Sequence, residues 1–588
     1  MFLKWIPSSR TEQRSSSMKL KLFLFIALPV MLFGQNSVVS KFSPALNSWI
    51  SSSAGGTVKV WVDLADKGGN QYLLGSPEKF LSQRAIERRM KRGSSINETD
   101  LPVWTPYLET IEQNGFRIIS RSKWFNSVTV TTDREGLYSL GRLPFVKSIG
   151  MVAKGSTPGT VKNSMITGPA DLSLMSPAAL DYGQSLAQLL PQQIPAAHDM
   201  GYDGSGVFIC LMDAGFNNLA HEVFDSLRIV ATWDFVNGDP DVGDGGQGNG
   251  SHGTITLSVI GGYKPGQLIG TAYRAHYLLA KTENTDTETP AEEDFWIAAA
   301  EWADSIGVDV TSTSLVYLEF DAPYPSYTWQ DMNGNTARIT KGADLAVSKG
   351  IVVFNSAGNN GMNDTRNTLA APADGDSVIT IGSITAAGMR SGFSSVGPTV
   401  DGRIKPDMMA VGSATYAAAP GGRDVYTSAS GTSLACPIGA GIAAFMLQKN
   451  PGLTPIQVRE ILRSTASQPN APDRLMGWGI MNAVAAINNV PVSVKDGSGM
   501  VPEDISLVSY PNPFNPSTTL SFTLPTEKFV RIMIYSSTGE LVKQVIEGTF
   551  AAGTSKIMID GGGLSSGNYI VILHTGDKVY SQKISLIK

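Results

Sequence analysis

Residues 207–215 read VFICLMDAG, a run of six apolar residues followed by Asp213-Ala214-Gly215. A continuous apolar run of this length is typical of a strand covered on both faces, as in a parallel sheet between layers of helices. In such sheets, ligands bind beyond the carboxyl ends of the strands. Asp213 stands at that end, so we expect the chemistry of this protein to follow the strand directly.

Helix and strand patterns alternate in the chain that follows this run. Thr289-Pro290-Ala291-Glu292 predicts a helix start with an N-cap, a first-turn proline and a glutamate, and the helix extends to about Gly307. A strand is predicted at Val308–Thr313, then another helix, and then a strand at Ile351–Asn355. This alternation predicts an α/β fold with a mainly parallel sheet flanked by helices.

Polar residues suited to one reaction lie at the ends of these elements. Asp213 follows the first strand, His252 a Gly/Asp-rich loop and Asn359 the strand Ile351–Asn355, while Ser433 opens an Ala/Gly-rich helix. A serine hydroxyl becomes a nucleophile when an imidazole takes its proton, and a carboxylate must set the imidazole tautomer. The resulting oxyanion needs a hydrogen-bond donor already in place. We therefore predict Asp213, His252 and Ser433 as a catalytic triad and Asn359 as the oxyanion donor.

Four short motifs carry these residues in the order aspartate, histidine, asparagine, serine. They are Met212-Asp213-Ala214-Gly215, His252-Gly253-Thr254, Ala357-Gly358-Asn359 and Gly431-Thr432-Ser433-x-Ala435-x-Pro437. The motifs resemble those of the subtilisin-like serine proteases, whose triad has the chain order Asp, His, Ser. The resemblance covers about residues 185–490. It implies a subtilisin-like fold and an endopeptidase that hydrolyses peptide bonds through an acyl-enzyme.

The resemblance also implies a substrate-binding surface. In the family, a strand ending in Ser-Leu-Gly pairs with the substrate backbone, and here the segment reads Ser314-Leu315-Val316. Ala357 and Gly358 are expected to line the same cleft. A valine in place of the family's glycine adds two methyl groups and stiffens the backbone. We therefore expect a reduced preference for bulky aromatic residues before the cleaved bond.

The sequence predicts no cofactor and no catalytic metal. Many subtilisins bind calcium, and a structural calcium stays open at the acidic loop of Asp239, Asp241 and Asp244. The spacing of these residues matches no defined calcium loop, so a solvated acidic loop is the favoured interpretation. Cys210 and Cys436 lie in apolar runs and are predicted to be buried thiols rather than a disulfide.

The N-terminal flank predicts export and an inhibitory domain. Residues 1–35, with Met18 as an alternative start, carry two lysines and a short apolar stretch, as in a secretory signal peptide. Residues 36–165 predict a small α+β domain that resembles the propeptides of such proteases. Residues 56–155 hold 15 Lys/Arg and 10 Asp/Glu, against 31 and 41 elsewhere, which favours docking on the remainder. The alternative is a solvated helix surface without a partner.

The C-terminal flank predicts a linker at 491–505 and a small β-sandwich at 506–588. Its Pro511-Asn512-Pro513-Phe514 opening and its turn at Leu564–Tyr569 resemble the sorting domains of type IX secretion cargo. The alternative is a binding or adhesion module. With a catalytic domain at 180–490, the protein is expected to be secreted or at the cell surface, exported across the inner membrane by the signal peptide and across the outer membrane by type IX secretion.

Three partners are expected: protein or peptide substrates, the chain's own propeptide as an intramolecular inhibitor, and the secretion machinery. The net charge of −5 and the lack of a long basic tract argue against nucleic acid. A second function class stays open, a catalytically silent subtilisin-like protein that binds or adheres at the surface. A missing triad residue would mark that class, and none is missing.

Overall fold

The computed structural model describes residues 38–52, 55–152, 180–243, 246–248, 250–321, 324–491, 506–510, 512–551, 553–576 and 578–587. The predicted signal peptide, the end of the predicted propeptide domain and the predicted linker after its first residue lie outside them. The chain divides into two compact units between Val492 and Ser493.

The first unit begins with a small α+β domain. Its elements are α1 (Pro44–Ser52), β1 (Val58–Leu64), α2 (Gln83–Arg92), α3 (Thr105–Gln113), β2 (Ile118–Ser122), β3 (Ser127–Thr132), α4 (Arg134–Arg142) and β4 (Val146–Met151), with short 3-10 turns at Pro77–Lys79 and Glu98–Asp100. The strands pair antiparallel in the order β2-β3-β1-β4. With α3 and α4 as crossovers, this is the β-α-β-β-α-β arrangement of a ferredoxin-like fold, which confirms the predicted α+β class.

The helix α2 lies outside that arrangement, in the long connection between β1 and α3. The Ser82 hydroxyl caps it by accepting from the backbone N–H of Ala85, and Gly93 ends it in the left-handed conformation (φ 67°). The charged stretch from Pro77 to Arg92 therefore consists of a 3-10 turn followed by a regular helix.

The rest of the first unit is built around one parallel sheet, and two separate pairs of short strands, among the described residues, lie outside that sheet. Its strands are β5 (Phe208–Asp213), β6 (Arg228–Asp234), β7 (Tyr263–Lys264), β8 (Leu268–Ile269), β9 (His276–Lys281), β10 (Val310–Thr313), β11 (Val352–Ser356), β12 (Ile379–Ile384), β13 (Met408–Val411), β14 (Thr415–Ala418) and β15 (Tyr426–Ala429). In the part of the chain that the structure describes, seven of them pair in the order β13-β12-β11-β10-β5-β9-β6, every pair parallel.

Helices cover both faces of this sheet. They are α5 (Leu186–Leu189), α6 (Ile194–Asp199), α7 (Ser251–Gly261), α8 (Ala291–Ile306), α9 (Arg338–Ser348), α10 (Thr432–Lys449), α11 (Pro455–Thr465) and α12 (Ala483–Asn489), with 3-10 turns at Leu190–Gln192, Glu222–Phe224 and Trp329–Asp331. The side chains of β5 alternate between two hydrophobic cores, Ile209 and Leu211 on one face and Cys210 and Met212 on the other. The predicted helix-flanked parallel sheet is confirmed, and both cysteines are buried free thiols.

Some predicted boundaries shift by a residue or two. Pro290, not Thr289, occupies the N-cap of α8, and the Glu292 carboxylate accepts from the Thr289 backbone N–H (2.7 Å). The following strand starts at Val310 rather than Val308, because Gly307 ends α8 in the left-handed region (φ 100°) and the chain needs two residues to enter the sheet.

The order of the strands sets where a ligand can bind. From β5 the chain adds β6 and β9 on one side, and then β10 to β13 on the other side. The direction of strand addition therefore reverses between β5 and β10. A crevice at the carboxyl ends of these two strands is the expected ligand site of such a sheet.

The second unit is a β-sandwich. Its strands are β16 (Ser506–Tyr510), β17 (Ser517–Leu524), β18 (Lys528–Ser536), β19 (Leu541–Phe550), β20 (Gly553–Asp560), β21 (Gly567–His574) and β22 (Val579–Leu586). Over the described ranges they form two antiparallel sheets, β16-β17-β20 and β19-β18-β21-β22. Phe522 of the first and Ile532 and Val571 of the second share one buried cluster, so the predicted sandwich is confirmed.

None of the helices in the described ranges combines the length and the apolar character needed to cross a membrane.

Candidate active site

Asp213 is the last residue of β5 and is almost completely buried. Its Oδ1 lies 2.6 Å from Nδ1 of His252 and accepts from the backbone N–H of Ala214 (2.8 Å). Its Oδ2 accepts from the hydroxyl of Thr256 (2.8 Å). Because donors hold both oxygens, the carboxylate has a fixed orientation toward the imidazole.

His252 is the second residue of α7, and 37% of its side chain is exposed. A proton on Nδ1, shared with Asp213, leaves Nε2 as the nitrogen that can accept a proton. Burial lowers the pKa of the ring, but the charge and hydrogen bond of Asp213 more than offset that effect. The pKa of His252 is therefore raised above its ordinary 6.5. Asp213 thus stabilises the imidazolium that a general base becomes when it takes a proton.

Two glycines allow α7 to approach the loop that follows β5. A β-carbon at Gly253 would lie 2.3 Å from the carbonyl oxygen of Gly215, which is far inside van der Waals contact. Gly215 itself has φ +122°, a conformation that other residues rarely adopt. The glycines that follow His252 and Asp213 in their motifs are therefore needed to bring those two side chains together.

Ser433 is the second residue of α10 and is 8% exposed. Its hydroxyl donates to the carbonyl oxygen of Ser314 (3.2 Å). Among the described residues, no hydrogen bond joins this hydroxyl to His252, and a transfer of its proton to Nε2 would require the hydroxyl to turn away from Ser314. Catalytic hydrogen bonds often form fully only when substrate is bound.

Asn359 follows β11 and contacts the start of α10. Its Oδ1 accepts from both the backbone N–H (2.9 Å) and the hydroxyl (3.0 Å) of Thr432, which leaves its Nδ2 as the free donor end of the amide. A β-carbon at Gly431 would lie 3.6 Å from both Asn359 Nδ2 and the backbone nitrogen of Ser433. The amide nitrogen of Asn359 and the backbone nitrogen of Ser433 therefore lie near the same point beside Gly431, and two donors so placed are what an oxyanion site requires.

The predicted substrate-binding residues lie at the same edge of the sheet. Ser314, Leu315 and Val316 continue from the carboxyl end of β10, with Val316 half-buried. Ala357 and Gly358 continue from β11. The backbone N–H of Ala357 is bonded to β12 (3.0 Å), and that of Gly358 to the Thr432 hydroxyl (3.3 Å). The structure thus places every predicted site residue at the carboxyl edge of neighbouring strands.

The two cysteines do not take part in this chemistry. Cys436, one turn beyond Ser433, donates its thiol to the carbonyl oxygen of Thr313 (3.4 Å). Burial raises the pKa of Cys436 to about 12 and raises that of Cys210 as well. A thiol with a pKa that high is not a nucleophile near neutral pH.

The acidic loop weighed as a calcium site makes local turn contacts. Asp239 Oδ1 accepts from the backbone N–H of Asp241 (2.9 Å), and Asp241 Oδ1 accepts from that of Gly243 (3.0 Å). Asp244 lies outside the described residues. Such contacts are ordinary for aspartates in turns and need no cation.

Sequence reasoning missed a cluster of glutamates near the cleft. Carboxylate oxygens of Glu283, Glu288 and Glu292 lie within 4.8 Å of one another. Burial raises the pKa of Glu288 to about 7 and that of Glu292 to about 11. Glu283 accepts from the hydroxyl of Tyr317, and Glu292 accepts from two backbone N–H groups. The feature of the sequence that could have indicated this cluster is the presence of three glutamates within ten residues.

A buried aspartate paired with a partly exposed histidine at the end of β5, and a serine bonded to the segment that follows the neighbouring β10, are the arrangement of a serine hydrolase at the switch point of a parallel α/β sheet. Comparison with known proteins identifies the family within this class. Residues 204–479 match the model of the subtilase family, residues 59–165 that of the peptidase S8 propeptide domain of Bacteroidota, and residues 508–588 that of a secretion system C-terminal sorting domain.

Individual relatives agree with these matches. Subtilisin DY of Bacillus licheniformis is 33% identical over 306 residues, which is 51% of this chain and 99% of the relative. Subtilisin NAT of Bacillus subtilis subsp. natto is 29% identical over 379 residues, 64% of this chain and 85% of the relative. This chain therefore belongs to the subtilase family of serine peptidases, and it carries that family's propeptide domain and a secretion sorting domain.

Two solved structures also resemble the chain. A cold adapted subtilisin-like serine proteinase is 29% identical, with a TM-score of 0.36 over 48% of this chain and 88% of that structure. A protease of Pseudoalteromonas arctica is 23% identical, with a TM-score of 0.41 over 51% of this chain and 94% of that structure.

Proposed function

We propose that the protein is a secreted serine endopeptidase in which Asp213, His252 and Ser433 act as the triad. The observation that carries the proposal is the 2.6 Å contact between Nδ1 of His252 and Oδ1 of the buried Asp213. This contact sets the imidazole tautomer, so that Nε2 is available to take the proton of Ser433.

The proposed reaction has two halves. In the first, Ser433 Oγ attacks the peptide carbonyl carbon and its proton passes to His252 Nε2. Asn359 Nδ2 and the backbone N–H of Ser433 donate to the oxyanion. The C–N bond then breaks, the leaving amine takes the proton from His252, and an ester to Ser433 remains. In the second half, His252 takes a proton from water as the water attacks the ester, and Ser433 leaves with that proton.

The substrate is proposed to lie along two segments of the cleft. Ser314–Val316 continue from β10 and Ala357–Gly358 from β11, so both lie next to the triad at the edge of the sheet. An extended peptide can add through its backbone to Ser314–Val316, which gives binding that tolerates many sequences. Ala357–Gly358, whose N–H groups are bonded within the protein, would line the cleft.

The flanking domains are proposed to control this activity. The propeptide domain would inhibit the enzyme within the same chain until it is cut away, with the cut between Lys154 and Gln184. The sorting domain would direct the protein, after export by the signal peptide, across the outer membrane by type IX secretion. The proposed reaction uses no cofactor, since the triad residues carry the proton transfers.

A fluorophosphonate probe tests the catalytic assignment. The probe forms a bond from Ser433 Oγ to phosphorus as fluoride leaves, so the matured protein should be labelled at Ser433 and should cleave a peptide library. The Ser433→Ala protein should show neither, while Ser430→Ala, three residues earlier, serves as a matched control that keeps the label. Labelling that persists in Ser433→Ala would overturn the assignment. A matured wild type with neither labelling nor cleavage would favour the alternative, a catalytically silent binding protein.

A further inference from the structure

The helix α2 of the propeptide domain carries a stripe of arginines, Arg84, Arg88 and Arg92, which we call the arginine stripe. The spacing of four residues places all three on one side of the helix. The guanidinium groups of these three arginines form their hydrogen bonds and ion pairs outside the propeptide domain. Each one contacts the catalytic domain instead.

Arg88 is the central residue of the stripe, and 2% of its side chain is exposed. Its guanidinium pairs with one oxygen of the completely buried Asp304 carboxylate, and the other oxygen pairs with Arg89 of the same helix (2.7 Å). It also donates to the carbonyl oxygens of Val308 and Lys349, the latter at 3.3 Å. One guanidinium thus meets a carboxylate and two carbonyl groups at once.

Arg92 and Arg84 bind the next carboxylate along the chain. Arg92 Nη2 lies 2.7 Å from Oδ1 of Asp309, and its Nη1 donates to the carbonyl oxygen of Gly350 (2.7 Å). Arg84 pairs with the other oxygen of Asp309 and donates from Nε to the carbonyl oxygen of Gly307 (3.1 Å). Both oxygens of Asp309 are therefore used by the stripe.

The receiving surface lies on the edge of the sheet opposite the active site. Asp309 directly precedes β10, Gly350 lies two residues before β11, and Asp304 is in the last turn of α8. These are the amino ends of the strands, whereas Asp213 and Ser314 lie at their carboxyl ends. Contacts at the amino ends of the strands do not fill the substrate cleft, which lies at the carboxyl ends. They therefore do not inhibit the enzyme by blocking that cleft.

The chemistry of this surface favours guanidinium over ammonium groups. Carboxylates and backbone carbonyls accept hydrogen bonds and donate none, and a guanidinium offers five N–H donors in a planar fork. Burial makes these contacts sensitive to the loss of any one partner. Without Arg88, Asp304 keeps its pair with Arg89, and without Arg92, Asp309 keeps only its pair with Arg84.

We infer that the arginine stripe is an anchor, separate from the cleft, that holds the propeptide domain on the catalytic domain after the chain between them has been cut. The inference rests on the proposed function in one respect only: maturation is taken to include a cut in the chain after residue 152. It assigns the retention of the propeptide to Asp304 and Asp309, at the amino edge of the sheet.

The test uses the full chain with Ser433→Ala, so that no step depends on catalysis. A recognition sequence for a site-specific protease is inserted within residues 155–179, the protein is cut there, and dissociation of the two parts is followed by size exclusion and by surface plasmon resonance. In this background, Arg88→Met and Arg92→Met should each raise the Kd on the order of 10²-fold. Arg88→Lys should restore little of the loss, since an ammonium cannot reproduce the fork.

Lys91→Met is the matched control. Lys91 is exposed on the same helix, and its loss removes the same charge without a contact to Asp304 or Asp309. It should change the Kd by no more than about 2-fold. For the complex without stripe substitutions, 1 M NaCl should change the Kd little, because buried ion pairs are screened much less than exposed ones.

The inference is overturned if Arg88→Met and Arg92→Met bind as tightly as Lys91→Met, or if 1 M NaCl alone separates the cut parts. Thermal unfolding of the uncut chains shows whether each variant folds. Where Arg88→Met does not fold, Asp309→Asn on the enzyme side and Arg84→Met at the more exposed end of the stripe replace it, with the same expectation of weakened retention. Failure of the triad assignment would leave all these results unchanged.

Discussion

Ser314 and Ser433 are joined by two hydrogen bonds that run in opposite directions. The Ser433 hydroxyl donates to the carbonyl oxygen of Ser314 (3.2 Å), and the Ser314 hydroxyl donates to the carbonyl oxygen of Ser433 (2.8 Å). The segment proposed to bind substrate and the helix that carries the nucleophile are therefore fixed to each other. A displacement of β10 would move both together.

Replacing Ser314 with alanine should slow catalysis without abolishing it. The change removes the bond to the Ser433 carbonyl, worth about 0.5–1.5 kcal/mol, and so frees the nucleophile to shift. We expect kcat/KM on a peptide substrate to fall by roughly 3- to 10-fold. Ser312→Ala, on the same strand with its hydroxyl near Cys436 Sγ (3.7 Å), is the control and should cost less. Equal losses in the two variants would mean that the strand, not the Ser314 bond, matters.

Asn359→Ala should lower kcat by ~10²–10³, a range established on another subtilisin, and should change KM much less. The amide oxygen is held by Thr432, so the Nδ2 group is the part of Asn359 that we propose donates to the oxyanion in the transition state. Asn359→Asp keeps an acceptor for Thr432 but removes the donor, and it should be as slow as the alanine variant. An aspartate variant with near wild-type kcat would assign Asn359 a purely structural role.

The pH profile should report the His252–Asp213 pair. Catalysis needs neutral His252, and its pKa is raised above 6.5, so kcat/KM should fall on the acid side with a midpoint above that value. Asp213→Asn removes the charge that raises the pKa, so the acid limb should move to lower pH while kcat drops sharply. The measurement is kcat/KM from pH 5 to pH 9 for both proteins. An acid limb that stays in place in Asp213→Asn would assign it to another group.

Val316 should limit the size of the residue before the cleaved bond. We expect the wild type to accept small apolar residues comparatively well and bulky aromatic ones poorly. Val316→Gly should gain selectively on Phe over Ala substrates, by about 1–3 kcal/mol in kcat/KM, as for other hydrophobic pockets. A wild type that already prefers Phe, with no selective gain in the variant, would show that Tyr317 or a neighbouring loop sets the pocket.

Asp407 should link stability to acid pH. Burial opposes its ionisation, but Lys405 (2.8 Å) and Arg463 hold its pKa down from 3.8 to about 2. Its stabilisation is therefore complete above about pH 4 and is lost as pH falls toward 2, by roughly 2 kcal/mol. Asp407→Asn removes the carboxylate that neutralises the buried Lys405 and leaves Arg463 only its pair with Glu460, so it should lower the free energy of unfolding at pH 7 by about 3–5 kcal/mol.

Urea unfolding of the Ser433→Ala precursor, with and without Asp407→Asn, measures both effects of Asp407. Asp401→Asn is the control, since Asp401 pairs with Arg403 at the surface and should cost less than about 1 kcal/mol. Equal losses at pH 7 from the two substitutions would contradict the role given to the buried group.

The residues proposed as catalytic could be selected from the sequence because short motifs carry them. His252-Gly253 and Asp213-Ala214-Gly215 combine a functional side chain with the glycine that permits close approach, so both the chemistry and part of its geometry are local in sequence. The apolar run before Asp213 likewise predicted a strand buried on both faces, which β5 is.

Contacts between distant segments were not predictable in this way. The charge difference between the two parts of the chain suggested docking, but not that Arg88 meets Asp304, 216 residues away, or that this occurs at the edge opposite the cleft. The glutamates near the cleft were likewise unremarked, because a glutamate has no sequence signal that tells burial from exposure.

By itself, the sequence determined the class of fold, the chain order of the residues proposed as catalytic and the presence of a further domain on either side, since periodicity and local motifs encode these. Only the tertiary structure decided which partners the side chains meet: Ser314 for Ser433, Thr432 for Asn359, and Asp304 and Asp309 for the arginine stripe. The physical reason is that such pairings depend on the order of the strands in the sheet and on which groups are buried together. Neither of these produces a periodic pattern in the sequence.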